Sequence, residues 1–149
     1  MMDTLSIIAG VATLLRVAVH VGTELQIFCD DVVTIRPDMI MLIEEVESFR
    51  GVLEAMKTTF SDPELQETVN VTGHLGEHWK NVSTSLGDAE RTMLTLLGIL
   101  QEANKETRIL DAPRRLLRYN VAAERIKRFV SQVASCKMTL QLSLEAMML

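Results

Sequence analysis

Apolar residues recur along most of this chain at alternating spacings of three and four, the pattern of helices that each bury one face. Met39, Leu42, Val46, Phe49, Leu53, Met56 and Phe60 form one such stripe. Leu75, Trp79, Val82, Leu86, Ala89, Met93, Leu96 and Leu100 form a second, and Tyr119, Ala122, Ile126, Phe129, Val133, Cys136 and Leu140 a third that continues to Leu144 and Met147. Pro37, Pro63 and Pro113 separate the segments, each beside an acidic or hydroxyl residue that suits a first helical turn. Ser61 with Glu64 reads as a capping box for the third of four helical segments.

The first segment has a different pattern. Over residues 5–21, Leu5, Ile7, Ile8, Val11, Leu14, Leu15, Val17, Val19 and Val21, with several alanines, occupy nearly the whole circumference, and Thr13, Arg16, His20 and Glu24 make one narrow polar line. A helix that is apolar all round is either wrapped by other helices or placed in lipid. The expectation is an all-α bundle of about four long helices, a single domain over residues 1–149, with the apolar N-terminal helix at its centre among three one-sided partners.

Composition agrees with that fold class. The 149 residues are 48% hydrophobic and 23% charged, which excludes a disordered or low-complexity chain. Only 4% are aromatic, with 3 Pro and 7 Gly, which disfavours a many-turned β-sandwich and suits Leu, Val and Met packing between helices.

The net charge of -5 makes nucleic acid an unsuitable partner, because duplex binding rests on cations neutralising phosphates. That average conceals an asymmetry. Residues 1–104 hold 6 basic against 16 acidic side chains and residues 105–149 hold 9 against 4, a division into -10 and +5. Arg114, Arg115, Arg118, Arg125, Lys127 and Arg128 in the basic end are either a solvated helix face that offsets acidic neighbours or a patch for anionic lipid or a partner.

The apolar start lacks the features of a leader peptide, because Asp3 stands where a basic region belongs and Arg16 and His20 interrupt the run. Arg16 also counts against a constitutive transmembrane span. Cys29 and Cys136 are then read as reduced cytosolic thiols, and the Asn-x-Ser/Thr matches at Asn70 and Asn81 carry no meaning. The last segment stops at Leu149 with no Gly, Pro or polar tail, which predicts a longer parent polypeptide with this as its N-terminal domain.

Catalytic chemistry finds little support. His74-Leu75-Gly76-Glu77-His78 fits the H-x-x-E-H spacing of inverted zinc peptidases, but no third ligand is evident and Gly73 and Gly76 loosen the turn, so no metal and no cofactor is expected. Neither cysteine has a histidine near it in sequence, and neither a nucleophile elbow nor a phosphate loop is present. The chain is expected not to be an enzyme. The Thr13, Arg16, His20, Glu24 line remains, and it either pairs inside the bundle or faces an aqueous lumen if copies assemble in a membrane.

The opening Met2-Asp3-Thr4-Leu5-Ser6-Ile7-Ile8-Ala9-Gly10-Val11-Ala12-Thr13-Leu14-Leu15 resembles the start of the HeLo-like N-terminal domains of fungal STAND (NLR-like) proteins. Val46-Glu47-Ser48-Phe49-Arg50-Gly51-Val52-Leu53-Glu54, Arg118-Tyr119-Asn120 and Thr139-Leu140-Gln141-Leu142-Ser143-Leu144 extend the resemblance over the chain. It implies an executioner-type helical bundle, acting in self/non-self recognition and immunity through regulated cell death. It also implies self-association, a cytoplasmic resting state, and plasma-membrane targeting on activation by the apolar helix over residues 5–21. Downstream nucleotide-binding and repeat sensor modules of the same parent chain would be its partners. No amyloid motif of the prion-linked members lies in this stretch. The competing reading is a helical interaction or oligomerisation module that never touches lipid.

Overall fold

The computed structural model describes residues 4–30, 32–64 and 76–148. Five helices account for most of them: α1 (Thr4–Asp30), α2 (Pro37–Phe60), α3 (Gly76–Thr107), α4 (Ala112–Ile126) and α5 (Phe129–Met148). The fold is an all-α bundle.

Local chemistry sets the helix ends. Pro37 opens α2 after Arg36 in extended backbone (φ -60°, ψ 141°), and Asp38 places a carboxylate in the first turn. Asp111 caps α4, its side chain accepting the Arg114 N–H at 3.2 Å, with Pro113 in the first turn. The expected capping box at Ser61 is not formed as read. Ser61 closes α2, its N–H donating to the Lys57 carbonyl, and Asp62 is the residue whose side chain accepts the Glu64 N–H, at 2.9 Å. Asp62 directly precedes Pro63, and its carboxylate reaches an N–H two residues on, as an N-cap side chain does. Leu75 and the side chain of Trp79, expected at the start of the second stripe, lie outside the described residues.

The fourth predicted segment is two helices. Between α4 and α5 the Val130 N–H reaches the Lys127 carbonyl at 3.1 Å, a bond three residues long that tightens the chain for one turn at Lys127 and Arg128. Within α4 the buried alanine is Ala123, four residues after Tyr119, and the expected Ala122 is half-buried.

The stripes meet in one core. α1 packs against α2 and α3, α5 packs against the same two helices, and α4 lies on α3, so α1 and α5 take opposite corners. All seven α2 stripe residues are buried, as are Val82, Leu86, Ala89, Met93, Leu96 and Leu100 of α3 and Phe129, Val133 and Leu140 of α5. α1 contributes Ile7, Val11, Leu14, Ala18, Val21, Leu25 and Phe28, again at spacings of three and four. Ile8, Leu15 and Val17 beside that line are half-buried against the same core, so α1 is packed over part of its circumference and is not enclosed on every side. A helix at the corner of a bundle meets two neighbours and keeps an outer face, here occupied by Ala9, Val19 and Ile27 beside charged positions.

Candidate functional site

Two arrangements stand apart from ordinary core packing: the outer side of α1 and the junction of α4 with the loop between α1 and α2. Of the expected membrane-inserting residues, Ile7, Val11, Leu14 and Val21 are buried, Ile8, Leu15 and Val17 are half-buried, and Val19 is 45% exposed. The Leu5 side chain lies outside the described residues.

The polar line is divided in two. At its N-terminal end the Thr13 hydroxyl donates to the Ala9 carbonyl at 3.0 Å and the Arg16 guanidinium reaches Thr13 Oγ1 at 3.4 Å, both at the surface. At its C-terminal end His20 Nε2 lies 3.8 Å from Glu24 Oε1. Glu24 is held by Asn104 of α3, whose Nδ2 donates to the Glu24 carboxylate at 2.7 Å and to the Glu24 carbonyl at 2.9 Å. Asn104 is the one buried polar residue among the described residues. It follows Leu100 by four positions on the α3 stripe, so its visible signal in the sequence is a polar residue at an apolar register.

Arg36 governs the second arrangement. Its guanidinium bridges Asp38 (Nε to Oδ1 3.1 Å, Nη2 to Oδ2 2.8 Å), Glu124 (2.8 Å) and the Asn120 carbonyl (3.3 Å). Its backbone N–H donates to the Tyr119 hydroxyl at 3.1 Å. The Tyr119 ring lies 5.0 Å from that of Phe28, so the end of α1, the loop and α4 are joined through one tyrosine. Burial raises the phenol's pKa. Hydrogen bonds from Lys127 and then Arg36 hold the Glu124 carboxyl below its ordinary range.

The six candidate basic residues do not form one free patch. Arg114 lies 3.9 Å from Asp111, Arg118 3.4 Å from Glu106 and Lys127 2.6 Å from Glu124. Arg115 donates through Nε to the Leu110 carbonyl at 2.6 Å, and Arg128 covers the Phe129 ring at 5.2 Å. Arg125 is exposed at the edge of a small cavity that Glu102 and Glu106 also line.

His74 and the His78 side chain lie outside the described residues, and among the described residues no three His, Cys, Asp or Glu side chains converge on a metal position. Both cysteines are unbonded, Cys29 buried and Cys136 half-buried. Burial pushes the Cys29 thiol up to about 11 and raises that of Cys136. Comparison of the chain with protein-family models, with curated proteins and with solved structures finds no match.

Proposed function

We propose that this chain is a non-catalytic effector domain that acts on membranes: a bundle at rest in the cytoplasm, which on activation self-associates and inserts α1 into the plasma membrane to cause regulated cell death. The observation that carries the reading is the mismatch between how apolar α1 is and how little of it is covered. Residues Ser6–Asp30 contain an 18-residue window of mean hydropathy 1.6, of which 28% is buried. A corner helix serving only a bundle in water needs one apolar stripe and a polar remainder. At about 1.5 Å per residue the 25 residues are also long enough for a hydrocarbon core of about 30 Å. The resemblance to fungal HeLo-like domains supports the same reading and adds a parent NLR-like immune receptor with nucleotide-binding and repeat sensor modules.

Release of α1 has a defined cost. Six large side chains (Ile7, Val11, Leu14, Val21, Leu25 and Phe28) leave the core, on the order of 10 kcal/mol if they met water. Hydrocarbon takes them back without that penalty. Arg16 opposes insertion by roughly 2.5–3.5 kcal/mol at mid-bilayer, and several copies offset this by turning Thr13, Arg16, His20 and Glu24 toward a shared aqueous path. Expression in yeast tests the reading, with localisation and viability scored together. Relocation to the plasma membrane with cell death is expected, and a domain that stays cytoplasmic while cells die favours the interaction-module reading. That second reading has its own observation, namely that Ile109, Leu116, Leu117 and Val121 expose apolar surface on and beside α4.

A further inference from the structure

Between the loop that follows α1 and the first turn of α4 lies an open apolar cavity of about 610 Å³, with Val32 and Val33 on one wall and Pro113 and Leu116 on the other. Val33 is fully exposed and Leu116 is 53% exposed, so neither is spent on the core. A smaller hollow of about 140 Å³ adjoins it, sharing Val32 and Arg115 and adding Arg108. An apolar cleft with two guanidinium groups along it is an unusual surface for a chain of net charge -5.

We propose that this cleft docks an acidic amphipathic helix of a partner protein, with the apolar side chains of one helix face entering between Val33 and Leu116 and its carboxylates meeting Arg108 and Arg115. Charge complementarity selects the occupant. Arg108 and Arg115 face no carboxylate among the described residues, while Arg114, Arg118 and Lys127 are each already beside an acid. Arg115 is half-buried and its Nε is fixed on the Leu110 carbonyl, which leaves its outer nitrogens in a set orientation for a bidentate carboxylate. The same anchoring keeps it from extending to lipid headgroups, and a concave cleft admits protruding side chains better than it meets a bilayer plane. Helix-in-groove recognition through anchors at i, i+3 or i+4 and i+7 fits such a cleft. The inference does not rest on membrane action by α1, and Ile27 and Phe28 at the C-terminal end of α1 help wall the smaller hollow in the resting bundle.

The test uses the 149-residue protein and a panel of helix-forming peptides with leucine at i, i+4 and i+7 and glutamate between, read by fluorescence polarisation. Members of the panel are expected to bind, with affinity falling as salt rises. Leu116→Asp and Arg108→Glu, both at exposed positions, are each expected to weaken binding about tenfold or more. Arg115→Lys should weaken it as well, because an ammonium loses the bidentate fork. Failure of the whole panel, equal binding of scrambled peptides, or Leu116-dependent binding to anionic vesicles in place of peptide would each overturn the proposal.

Discussion

Asn104 of α3 gives both hydrogens of its side-chain amide to one residue of α1, the carboxylate and the backbone carbonyl of Glu24. The Glu24 carbonyl, six residues before the end of α1, would otherwise meet only helix or solvent partners, and here it is tied across the bundle. The contact joins the two helices that must separate if α1 leaves.

Removing that amide tests its weight. Asn104→Ala is expected to lower unfolding free energy by about 1–3 kcal/mol, because a half-buried carboxylate loses its donor. Asn104→Asp sets a second carboxylate against Glu24 and should destabilise more than Asn104→Ala, because two like charges then face each other where a donor stood. Urea titrations of both variants check this, and equal losses would show that the pair carries no electrostatic strain.

The Arg36 junction predicts a separable effect. Tyr119→Phe keeps the ring against Phe28 and loses the acceptor of the Arg36 N–H, so a loss of about 0.5–1.5 kcal/mol is expected. Arg36→Ala removes the bridges to Asp38, Glu124 and Asn120 together. Hydrogen exchange should then quicken in α4 before it does in α2 or α3, since α4 buries only Tyr119, Ala123 and Ile126, far fewer than either of those helices. Uniform acceleration through the bundle would contradict this.

Acid should expose the role of Glu124. Its carboxyl is held below the ordinary range by Lys127 and Arg36, so the folded state favours the charged form. The resulting stabilisation is present above the ordinary carboxylate pKa and disappears as pH falls through the lowered folded value. The difference in Tm between the wild type and Glu124→Gln is therefore expected to shrink across that acid window. A constant difference from neutral to acid pH would remove the charge from the explanation.

The thiols give a chemical readout of packing. With Cys29 buried and its thiol pushed up to about 11, alkylation by iodoacetamide at mildly alkaline pH should reach half-buried Cys136 first and Cys29 only on unfolding. Because the raised pKa disfavours the thiolate in the fold, stability is complete below the unfolded thiol pKa and falls as pH rises through the folded one. Comparable labelling rates for the two residues in the native protein would contradict the burial.

Much of the architecture was legible because one-sided helices write their buried face into the sequence. The stripe from Met39 to Phe60 and that from Val82 to Leu100 are buried in the register in which they read. α1 was harder, since an apolar circumference does not say which line meets the neighbours; the line through Ile7, Val11, Leu14 and Ala18 emerges only when α2 and α3 are in place. The turn at Lys127 and Arg128 carries no Gly or Pro, so periodicity ran through it. The Arg36 junction joins residues more than 80 positions apart in sequence, a relationship that no local pattern contains. For the arginines two readings stood side by side in the sequence, and the pairing of Arg114, Arg118 and Lys127 with separate acids fits the one in which a solvated face offsets acidic neighbours.

Membrane action is best tested where a charge can be added without disturbing the bundle. Ile8 and Leu15 are half-buried, so a glutamate there perturbs the resting fold as well as insertion. Val19 is nearly half exposed on the outer side of α1, and Val19→Glu should leave thermal stability almost unchanged while placing a carboxylate in the apolar window. That residue costs insertion by about 2.5–3.5 kcal/mol if it reaches mid-bilayer, roughly a hundredfold in partitioning. Dye release from liposomes and killing of yeast should fall steeply in Val19→Glu, with circular dichroism and Tm matching wild type. Arg16→Gln is expected to act differently, easing insertion while reducing leakage if the polar line faces an aqueous path. A folded Val19→Glu variant that leaks liposomes and kills cells as well as wild type would refute insertion of α1, and would leave the interaction-module reading in place.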